Sequence, residues 1–186
     1  TLVNEEKAYQ ERIKQALADT NISYAAFYQT MIHYFMENKK GDVEALKYYG
    51  LKCPSWKSDL ETLYPGCKHV LKTLHSHYKI GILANQLPNL LARLRNFGID
   101  SYIDLIISSA DVGLAKANLA IFKLALQQAN CLAEHAVMIG DRLDNDILPA
   151  KQLGMRTIWI RQGFSRLTHI TNPAETPDWT VDNWQK

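Results

Sequence analysis

The sequence predicts an α/β fold: a Rossmann-like parallel sheet with helices on both faces, and a small helical cap-like block before it. Three observations predict it. From about residue 65 onward, short apolar runs alternate with stretches of helical periodicity, the pattern of βαβ units on a parallel sheet. Residues 4–60 read as helices, with no convincing strand. Several apolar runs end in polar or acidic clusters, as in Met138-Ile139-Gly140-Asp141-Arg142-Leu143-Asp144-Asn145-Asp146. Parallel strands deliver their carboxyl ends to one edge, where α/β proteins bind ligands.

Composition narrows the classes of function. A chain of 186 residues can form one domain with a real core and a small insertion. Hydrophobic residues make up 47% and charged residues 22%, ordinary for a soluble globular protein. Net charge is +2 and the densest basic spot is Lys39-Lys40, so no nucleic-acid partner is expected. No apolar run approaches a membrane span and the start is not a signal peptide, so no membrane partner is expected either. Cys53, Cys67 and Cys131 lack metal-type spacing, and the odd count fits reduced thiols in a cytoplasmic protein.

The elements follow in order. Asn4 can cap a first helix, with Glu5 and Glu6 at the positive end of its dipole and Ile13, Ala16 and Leu17 on its inner face. Ser23 can cap a second, with Phe27, Met31, Ile32 and Phe35 recurring and Gly41 as its stop. Asp42 is the expected cap of a short third helix ending near Gly50. The stripe Tyr24, Phe27, Tyr28, Tyr34 and Phe35 is expected to be the core of this helical unit rather than a substrate pocket. Pro65-Gly66 opens a helix through Val70, Leu71 and Leu74. Strands are then predicted at 79–84, 103–108, 136–139 and 155–160, with a short last one at 179–181. Helices are predicted at 87–96, 118–129 and 144–153, the first and last stopped by Gly98 and Gly154. Crossovers between such strands are right-handed. His75 and His77 suit a helix C-terminus better than a metal pair. Trp159 is expected in packing, and Trp179 and Trp184 as anchors of the tail.

Three strand ends carry the chemistry. One gives Ala84-Asn85-Gln86, the next Ser108-Ser109 and a loop holding Lys116, the third Asp141 and its acidic neighbours. Taken singly, each has a plain structural reading. Asp141 can be a turn former, Asp144 an N-cap, and Lys116 a solvated surface residue. Together they suggest more. Carboxylates crowded at a strand end repel one another unless a cation joins them, and hard oxygen ligands suit magnesium. Lys116 lies between Ala115 and Ala117, small enough to let its ammonium approach a carboxylate and a phosphoryl oxygen. Lysine, carboxylate and metal converging on one point is a set suited to phosphoryl transfer.

On these residues the chain resembles the haloacid dehalogenase superfamily, in its magnesium-dependent phosphatase branch, over nearly its whole length. Gly140, Asp141 and Asp146 fit the fourth motif of that superfamily, and the resemblance makes Asp141 a magnesium ligand. The segment "SSADVGLAKANLAIFKLAL" fits the third motif and makes Lys116 the phosphate-side cation. The run "IGILANQ" fits the second, with Asn85 kept and Ala84 where a Thr or Ser hydroxyl is usual. The helical block, residues 4–60, resembles the cap such proteins insert after their first strand, leaving residues 1–3 and 61–186 as the core.

The resemblance also has departures. The first motif of the superfamily ends a strand with Asp-x-Asp-x-Thr, its first Asp the nucleophile and its second the general acid and base. This sequence begins Thr1-Leu2-Val3, just beyond that second Asp, so the nucleophile and its central strand are expected upstream of Thr1. Without that strand, neighbouring strands would leave buried backbone groups unpaired, at about 1–3 kcal/mol each. Ala117 takes the place of a common Pro, and Asn118 and Ala120 that of a common Asp and Arg. The resemblance implies hydrolysis of a small phosphorylated metabolite through an aspartyl-phosphate. In that reading Lys116, Asn85 and Asp146 are catalytic, and Ala84, Asn85 and Lys116 face the substrate. Asn85 orients the phosphoryl group, and Asp146, with Asp144, orients lysine or metal. A non-catalytic binding protein on this fold, a phosphomutase and a dehalogenase stay open as alternatives.

Overall fold

Strand β3 (Gly81–Ala84) pairs in parallel with β4 (Leu105–Ser108), in register from Gly81↔Leu105 to Ala84↔Ser108, in a computed structural model that describes residues 1–86 and 88–185. Strands β5 (Val137–Gly140), β6 (Arg156–Ile160) and β7 (Trp179–Val181) form a second parallel group in that order. The carboxyl ends of β3, β4 and β5 carry Asn85, Ser109 and Asp141. The sequence expects one parallel sheet; among the described residues no ladder joins the two groups. Two short strands, β1 (Val3–Asn4) and β2 (Thr62–Leu63), pair separately.

By its contacts the chain divides into two compact units. The first comprises Thr1, 63–160 and 170–186 and holds the parallel strands. Its core joins Ile107, Ile121, Phe122 and Ala150, with Leu83, Leu105 and Met138 packed against them. Ile121 and Phe122 lie on α7 (Leu119–Ala129), capped by the Asn118 side chain, which accepts from the Ala120 N–H at 2.9 Å. Burying each such side chain contributes roughly 1.5–3 kcal/mol. Helix α4 (Cys67–His75) opens at Gly66, whose left-handed φ of +82° suits glycine. Burial pushes the Cys67 thiol up to about 11, so it stays protonated and inert. Asp178 holds β6 to β7: its carboxylate accepts from the Thr157 N–H and hydroxyl, both at 2.8 Å. Helix α5 is Leu90–Asn96. The predicted start at Leu87 falls outside the described residues, and Asn89, at φ +71°, precedes the helix.

The second unit comprises 2–62 and 161–169. Helices α1 (Glu6–Leu17), α2 (Tyr24–Met36) and α3 (Gly41–Tyr48) bury Ile13, Phe27, Met31, Ala45 and Leu46 against one another. Ser23 caps α2, accepting from the Ala26 N–H at 3.2 Å. Tyr28, Tyr34 and Phe35 pack on this core, while Tyr24 is 40% exposed. Segment 161–169, which the sequence places with the α/β part, groups here because Phe164 stacks on Phe35 at 4.1 Å and meets Tyr9 edge-on at 5.1 Å.

Two caps differ from expectation. Asn4 accepts from the Glu6 N–H at 2.9 Å, one step before the α1 cap position, which Glu5 holds. Asp42 does not cap α3; Lys40 holds that position without a side-chain bond. Asp42 instead lies buried in the first turn, 2.5 Å from the Arg12 guanidinium, and that guanidinium lies 4.5 Å from the Trp56 ring centroid. The indole N–H of Trp56 donates to Glu61 at 2.6 Å. A buried partner for Arg12 outweighs a cap, because an unpaired guanidinium in this aromatic setting is far costlier than a missing cap.

Candidate active site

The loop after β5 sets the geometry. The sequence predicts a helix from Asp144; the chain instead makes a π-helical turn, Leu143–Ile147, followed by α8 (Leu148–Gln152). The Arg142 carbonyl accepts from both the Asp146 N–H at 2.9 Å and the Ile147 N–H at 3.2 Å. Such wide turns are rare and recur at functional sites. Leu143 and Ile147 anchor it, fully buried in a cluster with Trp159. The Trp159 indole N–H also donates to the Asp141 carbonyl at 3.0 Å, so the predicted packing residue supports the site loop directly.

This turn carries Asp146 inward, to 1% exposure. One carboxylate oxygen accepts from the Lys116 ammonium at 2.5 Å, the other from the Arg142 N–H at 3.0 Å. Asp146 lies so close to Gly140 that any Cβ there would overlap it. A glycine at the end of an apolar strand signals such a close approach, and the Gly-Asp pair was the available cue. Asp144 caps nothing. It holds the Arg142 guanidinium through both oxygens, at 2.9 and 2.6 Å. Arg142 itself went unsingled in the sequence, since one arginine among acids carries no pattern.

Lys116 follows α6 (Ser109–Val112) in the loop before α7. Its ammonium is mostly buried, at 12% exposure, rather than solvated. The Asn85 carboxamide touches its main chain twice: Oδ1 accepts from the Lys116 N–H at 2.7 Å, and Nδ2 donates to the Lys116 carbonyl at 2.9 Å. Ala84, half-buried at the end of β3, offers no donor. The next residue, Gln86, is tied down by its N–H donating to the Ser109 hydroxyl at 3.1 Å.

Asp141 lies 2.9 Å from the Thr1 nitrogen and accepts from the Thr1 hydroxyl at 2.5 Å. Burial pushes its carboxyl up, while the Thr1 hydroxyl and Lys116 pull it down. Among the described residues, no three His, Cys, Asp or Glu side chains form a metal-binding group. Magnesium, however, commonly takes one or two carboxylates and keeps waters otherwise. Asp141 fits as one such ligand; Asp146 and Asp144 are occupied by cations and N–H donors.

Comparison with known proteins shows the family. The haloacid dehalogenase-like hydrolase family matches residues 1–160 as a sequence profile. The chain belongs to that family. Among characterised relatives, a pyrimidine 5'-nucleotidase of Escherichia coli is 34% identical over 129 residues, 68% of this chain and 55% of that protein. A glyceraldehyde 3-phosphate phosphatase of Methanocaldococcus jannaschii is 38% identical over 123 residues, 63% of this chain and 53% of that protein. The chain thus spans about half the length of the curated relatives it matches. A predicted phosphoglycolate phosphatase from Haemophilus somnus shares the fold at 19% identity, with a TM-score of 0.73 over 99% of this chain and 90% of that one. A HAD-hydrolase from Bacillus subtilis, bound to magnesium, does so at 18% identity and a TM-score of 0.69, over 98% of this chain and 90% of that one. Among the described residues, no helix is long and apolar enough to cross a membrane.

Proposed function

We propose that this protein hydrolyses small phosphomonoesters with magnesium as cofactor, in the cytoplasm. The observation that carries the reading is the buried Lys116–Asp146 pair beside the Asp141 side chain at one strand edge. Asp141 would hold the ion, which when bound neutralises charge on the phosphoryl oxygens. Lys116 supplies the protein's own positive charge on the phosphoryl group, aimed by Asp146. An aspartate preceding Thr1 would attack phosphorus, the alkoxide would leave, and water would then release orthophosphate. The helical block, residues 4–60, would be the cap of such a protein. The named relatives act on a triose phosphate and on nucleotides, which supports a small phosphorylated metabolite as substrate class.

The deciding test is turnover of p-nitrophenyl phosphate by the full-length gene product, with magnesium and with chelator. Asp141→Asn should abolish magnesium-dependent turnover while the fold, by circular dichroism, is kept. Unchanged activity with unchanged magnesium dependence would sink the reading. Ala84 favours one second reading, a phosphate-binding protein without turnover, because the strand end lacks a hydroxyl donor. Magnesium and phosphate binding with no hydrolysis of any tested ester would select it.

A further inference from the structure

We propose that Asn85 is a positioning residue that acts on phosphate only through Lys116, and not a phosphoryl ligand itself. The inference rests on the phosphatase reading and goes beyond it. A carboxamide offers one acceptor oxygen and one donor nitrogen in a plane. Asn85 applies both to a single residue, the N–H and the carbonyl of Lys116, at 2.7 and 2.9 Å. Two contacts from one rigid plane fix orientation as well as distance. The partners are 31 residues apart, on the ends of β3 and on the loop after α6, so the clamp ties two strand-end loops together. Between Val112 and Leu119 that loop forms neither helix nor strand; its Asn118 N–H donates to the Ala115 carbonyl at 2.9 Å. Lys116 is therefore gripped at both ends, its main chain by Asn85 and its ammonium by Asp146. A small rotation of the main chain at the base of a long side chain swings its tip by ångströms, so releasing the clamp should misplace the charge.

The experiment is calorimetric titration of inorganic phosphate, with magnesium, into the full-length protein and its Asn85→Ala, Lys116→Ala and doubly substituted forms. Loss of two hydrogen bonds should weaken phosphate about tenfold in Asn85→Ala. In the Lys116→Ala background the same change should cost less than twofold, because the residue it serves is gone. Equal losses in both backgrounds would make Asn85 a direct ligand and overturn the proposal. So would an Asn85→Ala protein that binds phosphate like the parent. Asn85→Asp adds a check that survives a folding defect in the alanine form. It keeps the acceptor for the Lys116 N–H, so it should bind phosphate more tightly than Asn85→Ala. A carboxylate facing phosphate directly would bind it worse, and that order overturns the proposal. If Lys116→Ala alone leaves phosphate affinity unchanged, the phosphatase reading falls first and the inference falls with it. Losses that simply multiply overturn the inference alone.

Discussion

Among the described residues each unit buries a close ion pair, and the two are nearly matched in geometry. Arg12–Asp42 among the helices and Lys116–Asp146 at the strand ends both measure 2.5 Å. Their side chains are 13% and 7% exposed in the first pair, 12% and 2% in the second. What surrounds them differs. Arg12 lies against the Trp56 ring, and its partner carboxylate sits in the first turn of α3. Lys116 sits on an irregular loop, with Asp141 near enough to feel its charge. Burial and distance do not separate the two pairs; a second carboxylate, Asp141, beside Lys116–Asp146 does.

The contrast can be broken most forcefully at Asp42. Asp42→Ala leaves the Arg12 guanidinium buried without its counter-charge, and should destabilise the protein by about 3–5 kcal/mol in urea unfolding. Phosphate affinity, measured below the melting range, should stay at the parent value. A shared loss of affinity would mean that the helical pair is not merely structural.

Lys116→Ala should behave oppositely. A drop in kcat/KM of about 10²–10³, or roughly 2.7–4 kcal/mol, is expected for removing a charge-stabilising donor. Asp146 keeps the Arg142 N–H, so stability should fall less than in Asp42→Ala. Steady-state kinetics and urea midpoints on the same preparations give both axes. A variant that loses stability and keeps turnover would erase the contrast.

Ala84→Ser sharpens the comparison from the neighbouring strand end. A hydroxyl aimed at developing charge should raise kcat/KM about tenfold, or ~1.4 kcal/mol. Serine is the cleaner choice, since threonine adds a methyl that can overpack the end of β3. No change in kinetics on a panel of phosphomonoesters would remove this position from the site.

Asp178 calibrates both pairs with a carboxylate that has neutral partners. The Thr157 hydroxyl, and with it the Thr157 N–H, holds its carboxyl below the usual range. Its stabilisation is therefore complete above the ordinary carboxylate range and is lost as pH falls through the lowered native value. Asp178→Asn should cost about 1 kcal/mol at neutral pH. The gap in melting temperature from the parent should close on acidification toward pH 3. A gap independent of pH would show that the charge of Asp178 plays no part.

Local signals were legible because they act over a few residues. Ser23 and Asn118 cap where they stand, and the apolar strands lead to Asn85, Ser109 and Asp141 as their alternation predicts. Contacts made across the chain were not legible. Asp42 looks like a cap until Arg12, 30 residues away, claims it. The Asn85 carboxamide, which the resemblance aims at phosphate, bonds the main chain of Lys116, 31 residues away. The π-turn at Leu143–Ile147 escaped because its apolar residues also satisfy an ordinary helical period. Trp179, expected to anchor the tail, is half exposed, with the Arg156 guanidinium 5.8 Å from its ring; Trp184 is buried and bonds the Thr1 carbonyl instead.

The double grip on Lys116 has a thermodynamic consequence for any anion that arrives. A free lysine side chain carries about 1.5–2 kcal/mol of rotamer entropy, which ordering removes. Here Asp146 has already confined the ammonium within the fold, so an incoming phosphate finds a single conformer instead of selecting one. Encounter should then proceed with little induced ordering at this residue, and the entropy loss falls on folding, where the buried core absorbs it.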